Sequence, residues 1–118
     1  MHYLLALVVL LFVVLTSAPG FATAKGDMKR GQKVFQAMQC AVCHEDGGNK
    51  LNPQRPLKGP LFTQRYPLGD NKELEKTIRE GITNKGMPSF SRDKLSDQNL
   101  LDLMAYVRSL TPPAKKSK

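Results

Sequence analysis

Three stretches with helical spacing, no run of alternating apolar and polar residues, and one long loop predict an all-α domain of three to four short helices in this 118-residue chain. The length fits one domain. Apolar and charged fractions of 41% and 24% exclude a collagen, a wholly disordered chain and a multi-span membrane protein.

Each helix has its own signal. From Asp27 onward, Gly31, Val34, Phe35, Met38 and Val42 recur at i, i+3, i+4 and i+7, which predicts an amphipathic helix running up to Cys40. Gly31 inside it costs about 1 kcal/mol relative to Ala, so a glycine there points to the close approach of another backbone. A second helix is expected from near Asp70, where Asp70 and Glu73 make a capping-box-like pair. Its apolar positions are Leu74, Ile78 and Ile82, and Gly81 stops it. The third begins after Ser96 or Asp97 and turns Leu100, Leu103, Met104, Val107 and Leu110 inward, with Tyr106 beside them. Thr111-Pro112-Pro113 ends it. The domain therefore covers residues 25–113, and residues 114–118 form a basic tail.

Between the first two helices, Glu45 to Gly69 reads as a loop of about 25 residues rich in Gly, Pro, Asn and Lys. Loops of that length in a compact domain are normally functional. Leu51, Leu57, Leu61, Phe62, Tyr66 and Leu68 along it need apolar cover. Three short helices cannot supply enough, and domains this small usually add a staple or a cofactor. A part of the core is missing.

Residues 1–24 read as a secretory signal peptide. The thirteen uncharged residues from Tyr3 to Leu15 fall short of the roughly 20 that a bilayer span needs. Pro19 and Gly20 break the run, and Ala22-Thr23-Ala24 is a small-x-small cleavage site. An uncleaved membrane anchor is the competing reading. Cleavage after Ala24 puts the chain in the periplasm with no membrane span, and with all of its +8 charge, because residues 1–24 hold no Asp, Glu, Lys or Arg. In that compartment a basic surface favours acidic protein partners, and nothing in the sequence supports nucleic-acid binding.

Cys40-Ala41-Val42-Cys43-His44 supplies the missing piece, because C-x-x-C-H is the attachment signature of c-type haem. Two thiols at this spacing reach two vinyl groups of one haem, and the next residue sets an imidazole beneath the iron. Ligand counting removes most competitors. A structural zinc site or an iron–sulfur cluster needs four ligands, usually Cys or His, and beyond residue 24 the chain's only Cys and His are Cys40, Cys43 and His44. A thioredoxin-like pair would follow a strand in an α/β pattern, and a disulfide across two intervening residues would stabilise little. One haem c, covalent through Cys40 and Cys43 with His44 on the iron, is the expectation.

The second axial position falls to a methionine. Met38 lies too close to Cys40, Met28 stands at the start of the first helix, and Met104 belongs to the inward stripe of the third. Met87 sits in Lys85-Gly86-Met87-Pro88, 43 residues after His44. Pro88 favours an extended Met87, and Gly86 permits close backbone approach. The competing role is a gap-filling apolar side chain beside an open iron.

These features resemble a small class I cytochrome c. The likeness runs over most of residues 27–110: Gly31 and Phe35 before C-x-x-C-H, Gly59-Pro60, Gly86-Met87-Pro88, and Tyr106 in a closing helix. Gly47-Gly48-Asn49 and Met87-Pro88-Ser89-Phe90 are similar to c6-like or c551-like carriers. The resemblance implies a long loop wrapped around the haem, and first and last helices crossing at Gly31, Phe35, Leu103 and Tyr106. It also implies that the Pro60 carbonyl accepts from the Nδ1–H of His44, which would raise the donor strength of that ligand.

A His/Met-ligated haem offers no open site for substrate and suits outer-sphere electron transfer. Leu61, Phe62, Tyr66, Ile82 and Phe90 are the expected apolar shell, with ordinary core as the competing role; Arg55, Arg65 or Lys58 could pair with haem propionates, with solvated surface as the competing role. No enzyme is expected. His44 is committed to iron, so no Ser/Cys–His pair remains, and Glu73, Glu75 and Glu80 belong to an exposed helical face. The expected function is a periplasmic carrier that docks transiently on acidic redox proteins. A haem-based NO/CO binder and a fixed subunit of a larger redox enzyme are the alternatives.

Overall fold

In the computed structural model, which describes residues 25–113, α1 spans Met28–Ala37. The expected signal peptide (1–24) and basic tail (114–118) lie outside the described residues. Asp27 caps α1 by accepting from the Arg30 N–H at 2.8 Å. The helix stops short of Cys40 because the chain closes it with a Schellman turn. Cys40 N–H bonds to Phe35 O, and Gln39 N–H to Gln36 O, both at 3.0 Å. Gln39 takes the left-handed position, φ 61°, at a cost of about 1–2 kcal/mol for a residue with a Cβ. The backbone turns there and restarts as α2, Ala41–His44, followed by a 3₁₀ turn over Glu45–Gly47. Val42, which continues the apolar period, consequently points outward and is exposed.

The segment read as one long loop contains a helix of its own. Pro60–Arg65 forms α3, with Pro60 at its first position, where a missing N–H costs nothing. Phe62 and Tyr66, four apart, are buried by it, whereas Leu51, Leu61 and Leu68 stay exposed. The next helix, α4, spans Lys72–Glu80 and is capped at Asn71, one residue later than expected. Asp70 accepts instead from the Lys72 N–H at 2.9 Å. Gly81, φ 69°, ends α4 as anticipated. A second 3₁₀ turn covers Thr83–Lys85, and α5 runs Asp97–Ser109 behind Ser96, whose hydroxyl accepts from the Asn99 N–H at 3.1 Å. No strand occurs among the described residues; Ile82 and Met87 form one isolated antiparallel bridge.

Helices α1 and α5 cross with their backbones almost touching. A Cβ on Gly31 would stand 1.8 Å from the Asp102 carbonyl oxygen, and one on Gly26 would stand 2.1 Å from that of Leu101. The Phe35 and Tyr106 rings meet edge-on beside this point, centroids 5.2 Å apart. Leu100, Leu103, Met104 and Val107 bury one face of α5 against Phe35, Phe62, Tyr66, Leu74 and Ile78. Leu110 is only half-buried, because α5 has ended before it. Arg108 ties α5 to the segment after α3, donating to Tyr66 O, Pro67 O, Asp70 O and Asn71 Oδ1 at 3.0, 3.2, 2.9 and 2.7 Å.

The crossing is also held by a buried carboxylate that the apolar pattern gives no hint of. Asp102, 1% exposed, accepts from the Asp27 N–H at 2.8 Å, from Arg30 Nε at 2.9 Å and from Gln98 Nε2 at 3.0 Å. The Arg30 hydrogen bond holds its pKa below the usual aspartate range against the opposing effect of burial. A depressed folded pKa gives stability that is complete above the unfolded value, about 3.9, and is lost as pH falls through the folded value. Asp102→Asn should therefore cost about 2 kcal/mol near neutrality. Urea titrations across pH should show the gap between wild type and variant constant above about pH 5 and closing below about pH 4. A gap independent of pH would mean that the carboxylate charge plays no part.

Candidate functional site

All five α-helices contribute to one cleft, α1 through Phe35. Cys40 and His44 come from the α2 turn, and Asn49, Arg55, Pro56 and Leu57 from the following loop. Arg65 and Tyr66 come from the end of α3, Leu74, Thr77 and Ile78 from α4, and Leu103 and Val107 from α5. Ile82, Met87 and Phe90 close it. An inner lobe of about 70 Å³ and an outer one of about 430 Å³ share Cys40, His44, Asn49, Arg55, Ile82, Met87 and Phe90. That size is in the range of cofactor sites, roughly 300–1,000 Å³.

The His44 imidazole is held in one tautomer. Its Nδ1 lies 2.9 Å from the Gly48 carbonyl oxygen. A carbonyl can only accept, so Nδ1 carries the proton and Nε2 keeps its lone pair for a metal. The tight turn at Asp46 and Gly47, both with positive φ, brings Gly48 back beneath the ring. Lys50 N–H secures the same turn on Cys43 O at 2.8 Å. Pro60 does not have the role expected of it. It lies outside the cleft at the start of α3, and its carbonyl accepts from the Thr63 hydroxyl at 3.1 Å. Because the chain returns to His44 within four residues, the Gly48 carbonyl reaches Nδ1 first.

Cys40 and Cys43 are both half-buried and are not joined in a disulfide. Burial pushes the Cys40 thiol up to about 11, the opposite direction from a cysteine activated for disulfide exchange. That is unlike a thioredoxin-type pair.

Met87 is half-buried in the same cleft. Its backbone exchanges hydrogen bonds with Ile82, at 3.0 and 3.2 Å, around the Thr83–Lys85 turn. Gly81 makes that turn possible: a Cβ there would stand 2.5 Å from the Pro88 backbone. Gly86, φ 85°, reverses the chain just before Met87 and packs under the Leu51 side chain.

Of the expected shell, Tyr66, Ile82 and Phe90 line the cleft. Leu61 is 45% exposed, and Phe62 is buried in the helical core instead. Being consecutive on α3, they face different ways and neither reaches the cleft. Arg55 and Arg65 face it, whereas the Lys58 stem packs against Gly47 and stays out. Pro56, Leu57 and Asn49 also line the cleft, although the sequence marks none of them as part of the shell. Asn49 folds the loop by donating to Arg55 O at 3.1 Å and accepting from the Asn52 N–H at 3.0 Å. That Asx-type turn brings Pro56 and Leu57 to the wall; the Asn-x-x-Asn spacing was the one available signal.

The donor set fits one haem: two cysteine sulfurs, a preset imidazole and a largely apolar cleft. Comparison with known proteins agrees. The profile of the family described as "Cytochrome C oxidase, cbb3-type, subunit III" matches residues 26–107. A cytochrome c6 from a Synechococcus species is 33% identical over 110 residues, covering 91% of this chain and 91% of its own. That from Leptolyngbya boryana is 36% identical over 83 residues, covering 69% and 89%. Among solved structures, cytochrome c6 of the diatom Phaeodactylum tricornutum superposes with a TM-score of 0.59 at 31% identity, over 71% of this chain and 93% of the diatom chain. Outer membrane cytochrome F of Geobacter sulfurreducens gives 0.57 at 27% identity, over 70% and 99%.

The chain belongs to the class I monohaem cytochromes c, and its relatives include the cytochromes c6. It is a small electron-transfer protein with one haem c, covalent through Cys40 and Cys43. Among the described residues, no helix is long and apolar enough to cross a membrane.

Proposed function

We propose that the chain is an exported, diffusible carrier of single electrons whose haem iron is held by His44 and Met87. The observation that carries this reading is the meeting of two donors in one cleft: an imidazole with Nε2 left free by the Gly48 bond, and the only methionine on the loop that closes the site. Haem supplies an iron that exchanges one electron between its ferric and ferrous states. The chain sets the conditions for that exchange. Tyr66, Leu74, Ile78, Phe90 and Leu103 keep water from the cleft, and thioether ligation in an apolar site raises the potential. Arg55 and Arg65 face the cleft as cations for the haem propionates.

His44 and Met87 together would occupy both positions on the iron and leave none for a substrate, which supports a carrier rather than an enzyme. The +8 charge favours brief docking on acidic redox proteins, with rates that fall as salt is added. A second reading has one observation in its favour: the matching family is described as an oxidase subunit, so the chain could serve as a fixed electron-transfer subunit. Co-purification of an oxidase with the chain at high salt would favour that reading.

Two measurements test the proposal. Visible spectra of the exported protein should be low-spin, with the weak red band of methionine on ferric iron, and unmoved by CO. Met87→Ala should lose the band and bind CO. A high-spin wild type that shifts with CO would replace the carrier with a gas-binding protein. Mass spectrometry of the same sample should give Lys25 as the first residue and one attached haem. An intact Met1 would mean an anchored protein.

A further inference from the structure

Arg79 lies in the last turn of α4 with only 13% of its side chain exposed. One guanidinium nitrogen, Nη1, donates to two main-chain oxygens, Phe90 O at 3.1 Å and Leu95 O at 2.5 Å. The other, Nη2, donates to Asp97 Oδ1 at 2.7 Å. Nε is buried with no partner among the described residues. A charged group in such a position is costly to desolvate, and an unpaired buried N–H adds to the cost. What the side chain gains in return is a hold on three points of one segment.

That segment follows Met87 directly. Phe90 N–H is shared between Ile78 O and Arg79 O, both at 3.2 Å. Arg79 therefore grips residue 90 by its own backbone and by its side chain, and reaches on to Leu95, which is fully buried. Before Met87, the chain is fixed by the exchange with Ile82 and by the contact of Gly81 with Pro88. Without the Arg79 fork, the downstream side keeps the Phe90 N–H bonds to α4 and the Arg92–Asp97 pair, but loses the side-chain hold on the Phe90 and Leu95 carbonyls. A planar, permanently charged fork can serve two carbonyls and a carboxylate at once; a lysine ammonium on the same stem cannot match that geometry.

We propose that Arg79 is a positioning residue that restrains the Phe90–Leu95 segment and thereby keeps the Met87 thioether presented to the cleft. The inference rests on the reading of Met87 as an axial ligand. It assigns Arg79 a function in ligation beyond holding helices together.

The test uses the full haem-loaded protein and separates ligation from global stability. The red methionine band and the far-UV helix signal are followed together against temperature, and CO uptake by the ferrous protein is timed. Wild type should lose band and helix close together. Arg79→Gln should lose the band well before the helices melt, and CO uptake should rise about tenfold to a hundredfold, the range that losing hydrogen bonds from a charged group would give. Arg79→Lys should restore part of the band, and it carries the same comparison if the glutamine variant fails to fold. Arg108→Gln is the control: it removes a comparably connected arginine whose partners, Tyr66 O, Pro67 O, Asp70 O and Asn71 Oδ1, lie outside the segment that follows Met87, and should lower both transitions together. An Arg79→Gln protein whose band persists until its helices melt, with CO uptake as in wild type, would overturn the inference alone. A wild type without the band would overturn the ligation reading, and this inference with it.

Discussion

Helix α1 can lie against α5 only because Gly31 has no side chain; a Cβ there would stand 1.8 Å from the Asp102 carbonyl oxygen. This contact sets the position of almost everything else. It brings Phe35 onto Tyr106, and Phe35 is the residue whose carbonyl receives Cys40 N–H in the turn that closes α1. The direction in which C-x-x-C-H leaves the helix pair is therefore fixed by a backbone contact a few residues earlier. Asp102 ties the same crossing to Asp27 and Arg30, so hydrophobic and polar restraints act at one place.

From that frame the chain builds two presenting arms. The α2 turn folds back on itself to orient His44 through Gly48, and the stretch after α4 folds back to bring Met87 alongside Ile82. Each arm needs residues in left-handed conformations: Gln39, Asp46 and Gly47 in the first, Gly81 and Gly86 in the second. The apolar walls between them come from α3, α4 and α5. What sequence composition leaves short, enough apolar interior for so few helices, is a gap of the kind a planar, mostly apolar cofactor fills.

The sequence made the helical pattern, the mid-helix Gly31, the Gly81 stop and the haem motif legible, since each depends on local spacing or on one residue's chemistry. Tyr66, Ile82, Phe90, Arg55 and Arg65, expected around the haem from the sequence, line the cleft. Pro60 does not: resemblance placed its carbonyl at His44, while the Asp46–Gly47 turn delivers Gly48 there instead. Backbone turns at non-glycine residues leave little trace in the sequence, and the same blindness extended α1 through Gln39 to Cys40. Short α3 was hidden because six residues are too few to show a period, and Asp102 because a buried carboxylate on a helix looks the same as a solvated one. Its partners, Asp27 and Arg30, lie more than seventy residues away in sequence.

The central claim is that the haem completes the interior which the helices leave open. It is tested most directly by comparing thermal unfolding of the haem-loaded protein with that of a haem-free Cys40→Ala/Cys43→Ala chain, followed by far- and near-ultraviolet circular dichroism. The account predicts a single cooperative transition for the loaded protein. The haem-free chain should show reduced helix content, little fixed near-ultraviolet signal and no sharp transition. A haem-free chain that melts cooperatively at the temperature of the loaded protein would show that the helices suffice by themselves, and would contradict the account.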